Sequence, residues 1–403
     1  MKVVMISPGF PAEMPFFTAG LAGCGAQVLG IGDQPVQALP ELARSHLAAY
    51  RQVNSLWDEN EVAQAIAGFQ TFIDRIECPW EPGVLMAARL RERFHIEGMR
   101  EAETVPFRDK ERMKQVLDEA GIRTPRHARA STAEEVREAA ERIGYPLIVK
   151  PIAGAGSADT HRLDDSRQLE EVLSAIGHVK EVSVEEFIEG DEYTFDTICA
   201  DGKILYFNIA WYRPRPLIAR TVQWISPQTI ALRDVDAPHL ASGRRMGQAV
   251  IQALGFRSGF THMEWFLKPD GEAVFGEIGC RPPGARSVDI MNWAGDIDLY
   301  RGWAEAVCLG RLGQEVRRRY NAAVIFKRAQ GQGRIQRVEG LQRLLSEIGQ
   351  HVVNIDLLPV GAPRRDWKQT LLSDGWVTLR HPDLQRTLEM ADRVGTDVQM
   401  FAG

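Results

Sequence analysis

Two lysines, two glutamates and an arginine are spaced along this chain in a way that suits the handling of phosphate. Lys110 and Lys150 come first, followed by a small-residue loop, Gly154-Ala-Gly-Ser157, and an acidic segment, Glu185-Glu-Phe-Ile-Glu-Gly-Asp-Glu192. Glu264 and Glu277 follow on two strand-like stretches, with Arg281 just beyond the second acid. Ammonium groups, a loop whose backbone amides can approach closely, and paired carboxylates are the parts needed to hold a nucleotide triphosphate and its magnesium. Each piece alone is a weak signal. Their order and spacing make a strong one.

The glutamates carry the sharpest argument. Thr261–Leu267 and Ala273–Ile278 read as a hairpin across Lys268-Pro-Asp-Gly271. Strand side chains alternate, so His262, Glu264 and Phe266 share one face, Met263 and Trp265 take the other, and Glu264 can stand beside Glu277. Two carboxylates that close repel unless one is protonated or a cation lies between them. Oxygen ligands suit Mg²⁺, which keeps waters and shares phosphate oxygens. A pair of exposed acids on a surface hairpin is the competing reading. Lys150 follows an apolar run and precedes Pro151. Its ammonium needs a partner, which a phosphate would supply; snorkelling to solvent is the alternative. The 154–157 loop lacks the GxxxxGK[ST] pattern, which excludes a P-loop NTPase.

The frame around these residues is ordinary. At 403 residues the chain exceeds one hydrophobic core, so two or three domains are expected. A net charge of −6 argues against a general nucleic-acid surface. Arg317-Arg318-Arg319 reads as a solvated helix face. No apolar run approaches the ~20 residues of a membrane span, and the start at Lys2-Val-Val-Met-Ile6 reads as a strand, not a signal peptide. Cys24, Cys78, Cys199, Cys280 and Cys308 are odd in number and scattered, which suggests free thiols and a cytoplasmic location.

Strand and helix signals alternate over the first ~106 residues, which favours a parallel sheet flanked by helices. Strands are expected at Val3–Ser7, Ala26–Ile31 and Phe72–Ile76, with helices after Pro11, at Asp58–Phe69 and at Pro82–Phe94. Gly20, Gly23 and Gly25 precede the second strand and read as a helix C-cap and turn, not a dinucleotide fingerprint. Phe107–Glu119 reads as an amphipathic helix ended by Gly121, and Thr132 with Glu135 as a capping box opening a helix to Ile143. Strands are expected at Leu147–Lys150, Val182–Phe187, Thr194–Ala200, Ile204–Ile209, Ala322–Lys327 and His351–Leu358. Helices are expected near Leu341–Ile348 and Pro382–Val394.

On these segments the chain resembles the ATP-grasp superfamily, of the carboxylate–amine (amino-acid/peptide) ligase type. The resemblance implies an α/β fold, α+β in its central part. Its domains would be an N-terminal α/β domain at 1–106, an ATP-grasp domain at 107–310 with a lid-like part at 131–187, and a C-terminal α/β subdomain at 311–403. It implies that Lys110 and Lys150 contact ATP phosphates and that Ser157 lies in the phosphate loop. Glu185 would take the adenine amino group, Glu186, Phe187 and Ile188 would line the adenine edge, and Glu192 would bond the ribose. Glu264 and Glu277 would hold magnesium, with manganese as a substitute, and Arg281 would steady the transferred phosphate and acyl phosphate. Glu277-Ile-Gly-Cys-Arg-Pro-Pro-Gly284 is similar to the carboxylate–amine branch, which often lacks the usual asparagine at the Gly279 position.

The implied reaction is ATP-dependent activation of a carboxylate as an acyl phosphate, its joining to an amine, and release of ADP and phosphate. No nucleophilic side chain is needed, and a lid must keep water from the intermediate. Partners would be small-molecule carboxylate and amine substrates, with neither nucleic acid nor membrane; a homodimer is permitted. His262, Arg286 and Arg213, the last within Trp211-Tyr-Arg-Pro-Arg-Pro216, are candidate substrate residues, against a reading of 211–216 as a stiff surface turn. A biotin-carboxylase-like enzyme acting on bicarbonate and a non-catalytic ATP-binding module are the alternatives.

Overall fold

The computed structural model describes residues 1–152, 160–175, 181–370 and 372–403. The first sheet is built from β1 (Lys2–Ile6), β2 (Gln27–Gly32), β3 (Ala49–Gln52) and β4 (Arg75–Glu77), in the order β3-β2-β1-β4. Every pairing in it is parallel, as strand–helix alternation leads one to expect. Val3, Val4, Met5 and Ile6 are all fully buried, since helices cover both faces of such a sheet.

A second sheet carries β5 (His127–Ala130), β6 (Leu147–Pro151), β7 (His161–Leu163) and β8 (Val182–Glu186), ordered β5-β8-β6-β7. The helix Ala133–Ile143 packs Val136, Ala139, Ala140 and Ile143 onto it. The Oγ1 of Thr132 accepts from the Glu135 amide, so the expected N-cap is present, but the Glu135 carboxylate takes the Ser131 amide at 2.6 Å and not that of Thr132, so the capping box is not closed.

The largest sheet begins with β9 (Asp191–Ala200), β10 (Lys203–Asn208), β11 (Ala210–Arg213), β12 (Gln228–Ala231), β13 (Gly259–Leu267), β14 (Ala273–Gly279) and β15 (Asn321–Phe326). It is completed by β17 (Val352–Leu357) and β18 (Gly375–His381), while β16 (Ile335–Glu339) and β19 (Gln399–Ala402) lie outside it. The order β14-β13-β9-β11-β12-β15-β18-β17 shows one sheet running from the acidic hairpin into the C-terminal segment, with β10 branching off β9. β16 pairs only with β19 among the described residues.

Several expectations need correction. Arg317-Arg318-Arg319 is not helical: Arg318 donates to the Phe207 carbonyl at 2.6 Å and lies over its ring, so cation–π contact and a backbone acceptor hold it against the sheet. Gly20 and Gly23 lie within the helix Met14–Gly23 and not at its cap. A Cβ on Gly20 would come within 2.6 Å of the Tyr300 carbonyl oxygen, so that glycine lets this helix approach the helix Leu299–Leu309. Only Gly25, at φ +89°, is the expected turn residue. Residues 211–216 are the end of β11 and the entry to the helix Pro216–Thr221, not a plain surface turn. The helix expected from Phe107 starts at Lys110, because the Asp109 carboxylate caps it by accepting from the Glu111 and Arg112 amides.

Candidate active site

The acidic hairpin is pinned from its hidden side. Met263 and Trp265 are fully buried, and the Trp265 indole donates to the Thr194 carbonyl at 3.2 Å. Gly243 in the helix Ala241–Ala253 makes room for that indole, since a Cβ there would come within 2.1 Å of the ring. With Trp265 locked inward, strand alternation turns Glu264 to the opposite face, into the cleft. The register sets Glu264 directly opposite Glu277 and then slips, pairing Trp265 with Phe275. Gly276 sits in that irregularity, where a Cβ would meet the Glu264 carbonyl oxygen at 2.7 Å.

Each acid has cationic or hydroxyl company. Lys110 Nζ lies 3.1 Å and Lys150 Nζ 4.0 Å from Glu277 Oε2. Burial alone would raise the Glu277 carboxyl, but the Lys110 and Lys150 ammoniums outweigh it and hold it down to about 2. Tyr212 donates to Glu264 Oε1 at 3.2 Å. His262 lies opposite Gly279, its Nδ1 2.6 Å from the buried Asp196 and its Nε2 3.5 Å from Glu264. Burial would lower the imidazole; the bonds to Asp196 and Glu264 prevail and push it up to about 9.

Behind the lysines lies a buried charge network. Glu185, only 4% exposed, accepts from Lys114 at 2.7 Å and from Ser183 at 2.9 Å on Oε1, and pairs with Lys150 at 2.9 Å on Oε2. Desolvation opposes its ionisation, yet Lys114 and Lys150 hold it far below the usual carboxylate range. Ser183 also bonds Glu111, whose Oε2 meets His127 at 2.7 Å, and His127 in turn meets Asp118 at 2.9 Å. Lys150 therefore has a partner inside the fold and does not depend on a ligand or on snorkelling.

The far end of the cleft is poorer in positive charge. Glu192, 6% exposed, has Arg215 Nε at 3.5 Å without hydrogen-bond geometry. Burial first, and then the nearby Glu264, push its carboxyl up to about 8. Arg215 instead donates to the Ile188 carbonyl at 2.9 Å and lies over Phe187 and Phe266. Glu186 turns outward to Arg123 and Arg126, leaving its backbone and those of Phe187 and Ile188 beside the cleft. The cleft is open to solvent and brings Lys110, Lys150, Glu185, Glu192, Glu264 and Glu277 together.

A smaller recess adjoins it, shared by Lys110, His262, Glu277 and Arg281. Arg281 Nε bonds the Glu81 carboxylate at 2.8 Å, and Arg108 pairs with the same acid. Arg213 does not join: it reaches Gln228 at 3.0 Å and Asp392 at 3.2 Å and lies over Trp211, tying β11 to the helix Leu384–Asp397. Arg286 pairs with Asp289 at 2.6 Å between Phe16 and Trp376, apart from the cleft lining. Ser157 and its loop fall outside the described residues.

Lys114, Glu81 and Arg215 were not singled out from sequence. Lys114 lies one helical turn beyond Lys110, so the i, i+4 spacing could have placed both on one face. Glu81 follows the end of a parallel strand, where ligand sites cluster. Among the described residues no three His, Cys, Asp or Glu side chains gather into a metal cage. Glu264 and Glu277 instead face each other with oxygens open to the cleft, and two such carboxylates suit a divalent cation that completes its shell with water and phosphate oxygens.

The chain is similar to several known proteins. Residues 107–213 match the family model of the ATP-grasp domain. An L-arginine-specific L-amino acid ligase of Bacillus subtilis is 30% identical over 240 residues, 56% of this chain and 57% of that protein. An alanine–anticapsin ligase of Bacillus subtilis (strain 168) is 25% identical over 283 residues, 63% of this chain and 58% of that protein. The matched region thus spans less than two thirds of the length of these curated relatives. The crystal structure of an L-amino acid ligase from Bacillus licheniformis gives a TM-score of 0.80 at 20% identity, covering 100% of this chain and 99% of that one. The expected α/β, ATP-grasp architecture is the one this chain has.

Proposed function

We propose that this chain, which carries an ATP-grasp domain, is an ATP- and magnesium-dependent ligase that activates a carboxylate as an acyl phosphate and joins it to an amine. The observation that supports this most is the convergence of Glu264 and Glu277 with Lys110, Lys150 and Arg281 at one end of a cleft. Glu264 and Glu277 are the residues that would hold magnesium, and the ion would supply charge neutralisation at the phosphates. Lys110 and Lys150, already beside Glu277, would turn to phosphate oxygens and spread the charge that develops on transfer. The backbone at 186–188 would take the adenine edge and Glu192 a ribose hydroxyl. Glu185 has three donors already, so it can offer the adenine amino group only what is left of its second oxygen.

Arg281 would orient the carboxylate with its planar fork, and Glu81 would receive a substrate ammonium once that pair opens. On this reading the ordinary environment is reducing and cytoplasmic, an N-terminal domain ends at about 106, residues 311–403 form a subdomain that extends the sheet of the ATP-grasp domain, and 131–187 closes as the lid.

The test is ATP-dependent phosphate release, measured with pairs of L-amino acids and, separately, with bicarbonate and biotin. Release that requires amino acids, with a peptide-bonded product, supports the proposal. Release with bicarbonate alone would transfer the chain to carboxylase chemistry, and ATP binding without release in either arm would leave a non-catalytic module.

A further inference from the structure

The carboxyl edge of the N-terminal sheet carries aromatic side chains to which nothing above assigns a role. Its chain passes from β1 to β2 and β3 on one side, while β4 lies on the other side of β1. In open parallel sheets, ligands bind outside the carboxyl ends of the strands at such a reversal. Three aromatic rings stand there. Phe10 lies on the loop after β1, Trp57 on the loop after β3 and Trp80 on the loop after β4.

The rings touch one another but are poorly covered. Phe10 and Trp80 have centroids 6.3 Å apart, and Trp57 and Trp80 5.4 Å apart, both edge-on. Yet Phe10 is 59% and Trp57 73% exposed. The Ser7 hydroxyl, on a residue at φ +58°, donates to the Phe10 carbonyl at 2.6 Å and fixes the loop that carries the ring. Contiguous aromatic surface left in water on a built loop marks a binding surface.

The same edge faces the acidic hairpin. Glu81, the next residue after Trp80, holds Arg281 at 2.8 Å, and Glu13, at the end of the Phe10 loop, accepts the Arg286 amide at 3.5 Å. A zwitterion could replace the Glu81–Arg281 pair charge for charge, its ammonium on Glu81 and its carboxylate on Arg281. Its side chain would then start one residue from Trp80. Of the acids at this edge, Asp58 caps the following helix through the Asn60 and Glu61 amides, Glu13 accepts the Arg286 amide, and Glu81 is the one the proposal gives to the substrate ammonium.

We propose that Phe10, Trp57 and Trp80 form the side-chain subsite of this enzyme and select an amino-acid substrate with an aromatic side chain. This rests on the ligase reading. Ring edges and faces left open at Trp57 and Phe10 accept another ring edge-to-face.

The experiment compares kcat/KM for L-phenylalanine, L-alanine and L-arginine, each with the same second amino acid, in the parent, Trp57→Ala and Trp57→Phe. The parent should favour L-phenylalanine over L-alanine by about tenfold or more. Trp57→Ala should bring that ratio near parity with an unchanged KM for ATP, and Trp57→Phe should restore most of it. A ratio that does not move, equal losses for all three substrates, or a preference for L-arginine overturns the subsite while leaving the ligase standing. If no amino acid supports turnover, the ligase reading has failed. Calorimetry with L-phenylalanine and L-alanine, in the presence of a non-hydrolysable ATP analogue and magnesium, then decides the subsite by itself. Preferential binding of L-phenylalanine that disappears in Trp57→Ala sustains it, and any other outcome removes it.

Discussion

Glu185 and Glu192 stand seven positions apart in the chain, on consecutive strands lining one cleft, and both are buried. Their carboxyls are driven in opposite directions, Glu185 far below the usual range and Glu192 up to about 8. Desolvation is the largest influence on each and acts upward on both, so burial cannot explain the difference. Partners explain it. Glu185 has two ammoniums and a hydroxyl at bonding distance, whereas Glu192 has one imperfectly aligned guanidinium and looks toward Glu264. One end of the cleft is electrically closed within the fold. The other is left short of positive charge, and it is the end that the proposal gives to the ribose.

The largest effect is expected between these two acids, where Glu264 faces Glu277. Glu277→Gln removes one of the facing charges at constant volume, and turnover should fall by roughly 10³-fold or more if the site depends on preorganised charge. Circular dichroism and the melting midpoint should stay close to the parent's. Normal turnover would sink the metal assignment. Arg281→Lys comes next, because a lysine keeps the charge but not the fork that meets Glu81 and would meet an acyl phosphate. A loss of roughly 10²-fold in both kcat and kcat/KM, with ATP affinity retained, is expected. A defect confined to ATP affinity would reassign Arg281 to the nucleotide.

The closed end should respond more mildly. Lys114→Met leaves Glu185 with Lys150 as its remaining ammonium partner, so Lys150 should be drawn away from the phosphate position and the KM for ATP should rise by about tenfold. An unchanged KM would show that Lys114 serves the fold alone.

The smallest effect is one of pH. Glu192 has a folded pKa of about 8 against an ordinary 4.5, so the fold holds its proton more tightly than the unfolded chain does. Its contribution is therefore intact below about 4.5 and is lost as pH rises through about 8. Glu192→Gln should flatten the decline of the melting midpoint across that window. Parallel curves for parent and variant would show that Glu192 is ionised in the fold.

Much of this was legible in the sequence because strand alternation and hairpin length are local rules. The placing of Glu264 beside Glu277 needed only the spacing of two strands and a turn, and Trp265 keeps that alternation in place. What stayed hidden depended on distant partners. Lys114 looks like any helical lysine until β8 brings Glu185 against it, seventy-one positions later. Arg213 and Arg215 are indistinguishable as arginines in a proline-rich stretch. The chain path after β11 sends one to Asp392 and the other to Glu192. Gly20 reads as a turn glycine because its reason, the Tyr300 carbonyl, belongs to another helix.

The central claim is that these side chains serve the transfer of a phosphoryl group to a substrate carboxylate. It is tested most directly by the fate of carboxylate oxygen. A substrate amino acid labelled with ¹⁸O in its carboxyl group would be turned over with ATP and magnesium, and the released phosphate analysed by ³¹P NMR. Each turnover should deliver one labelled oxygen to phosphate, because the acyl–oxygen bond breaks when the amine attacks. Phosphate that carries no label, its fourth oxygen drawn from water, would contradict the account.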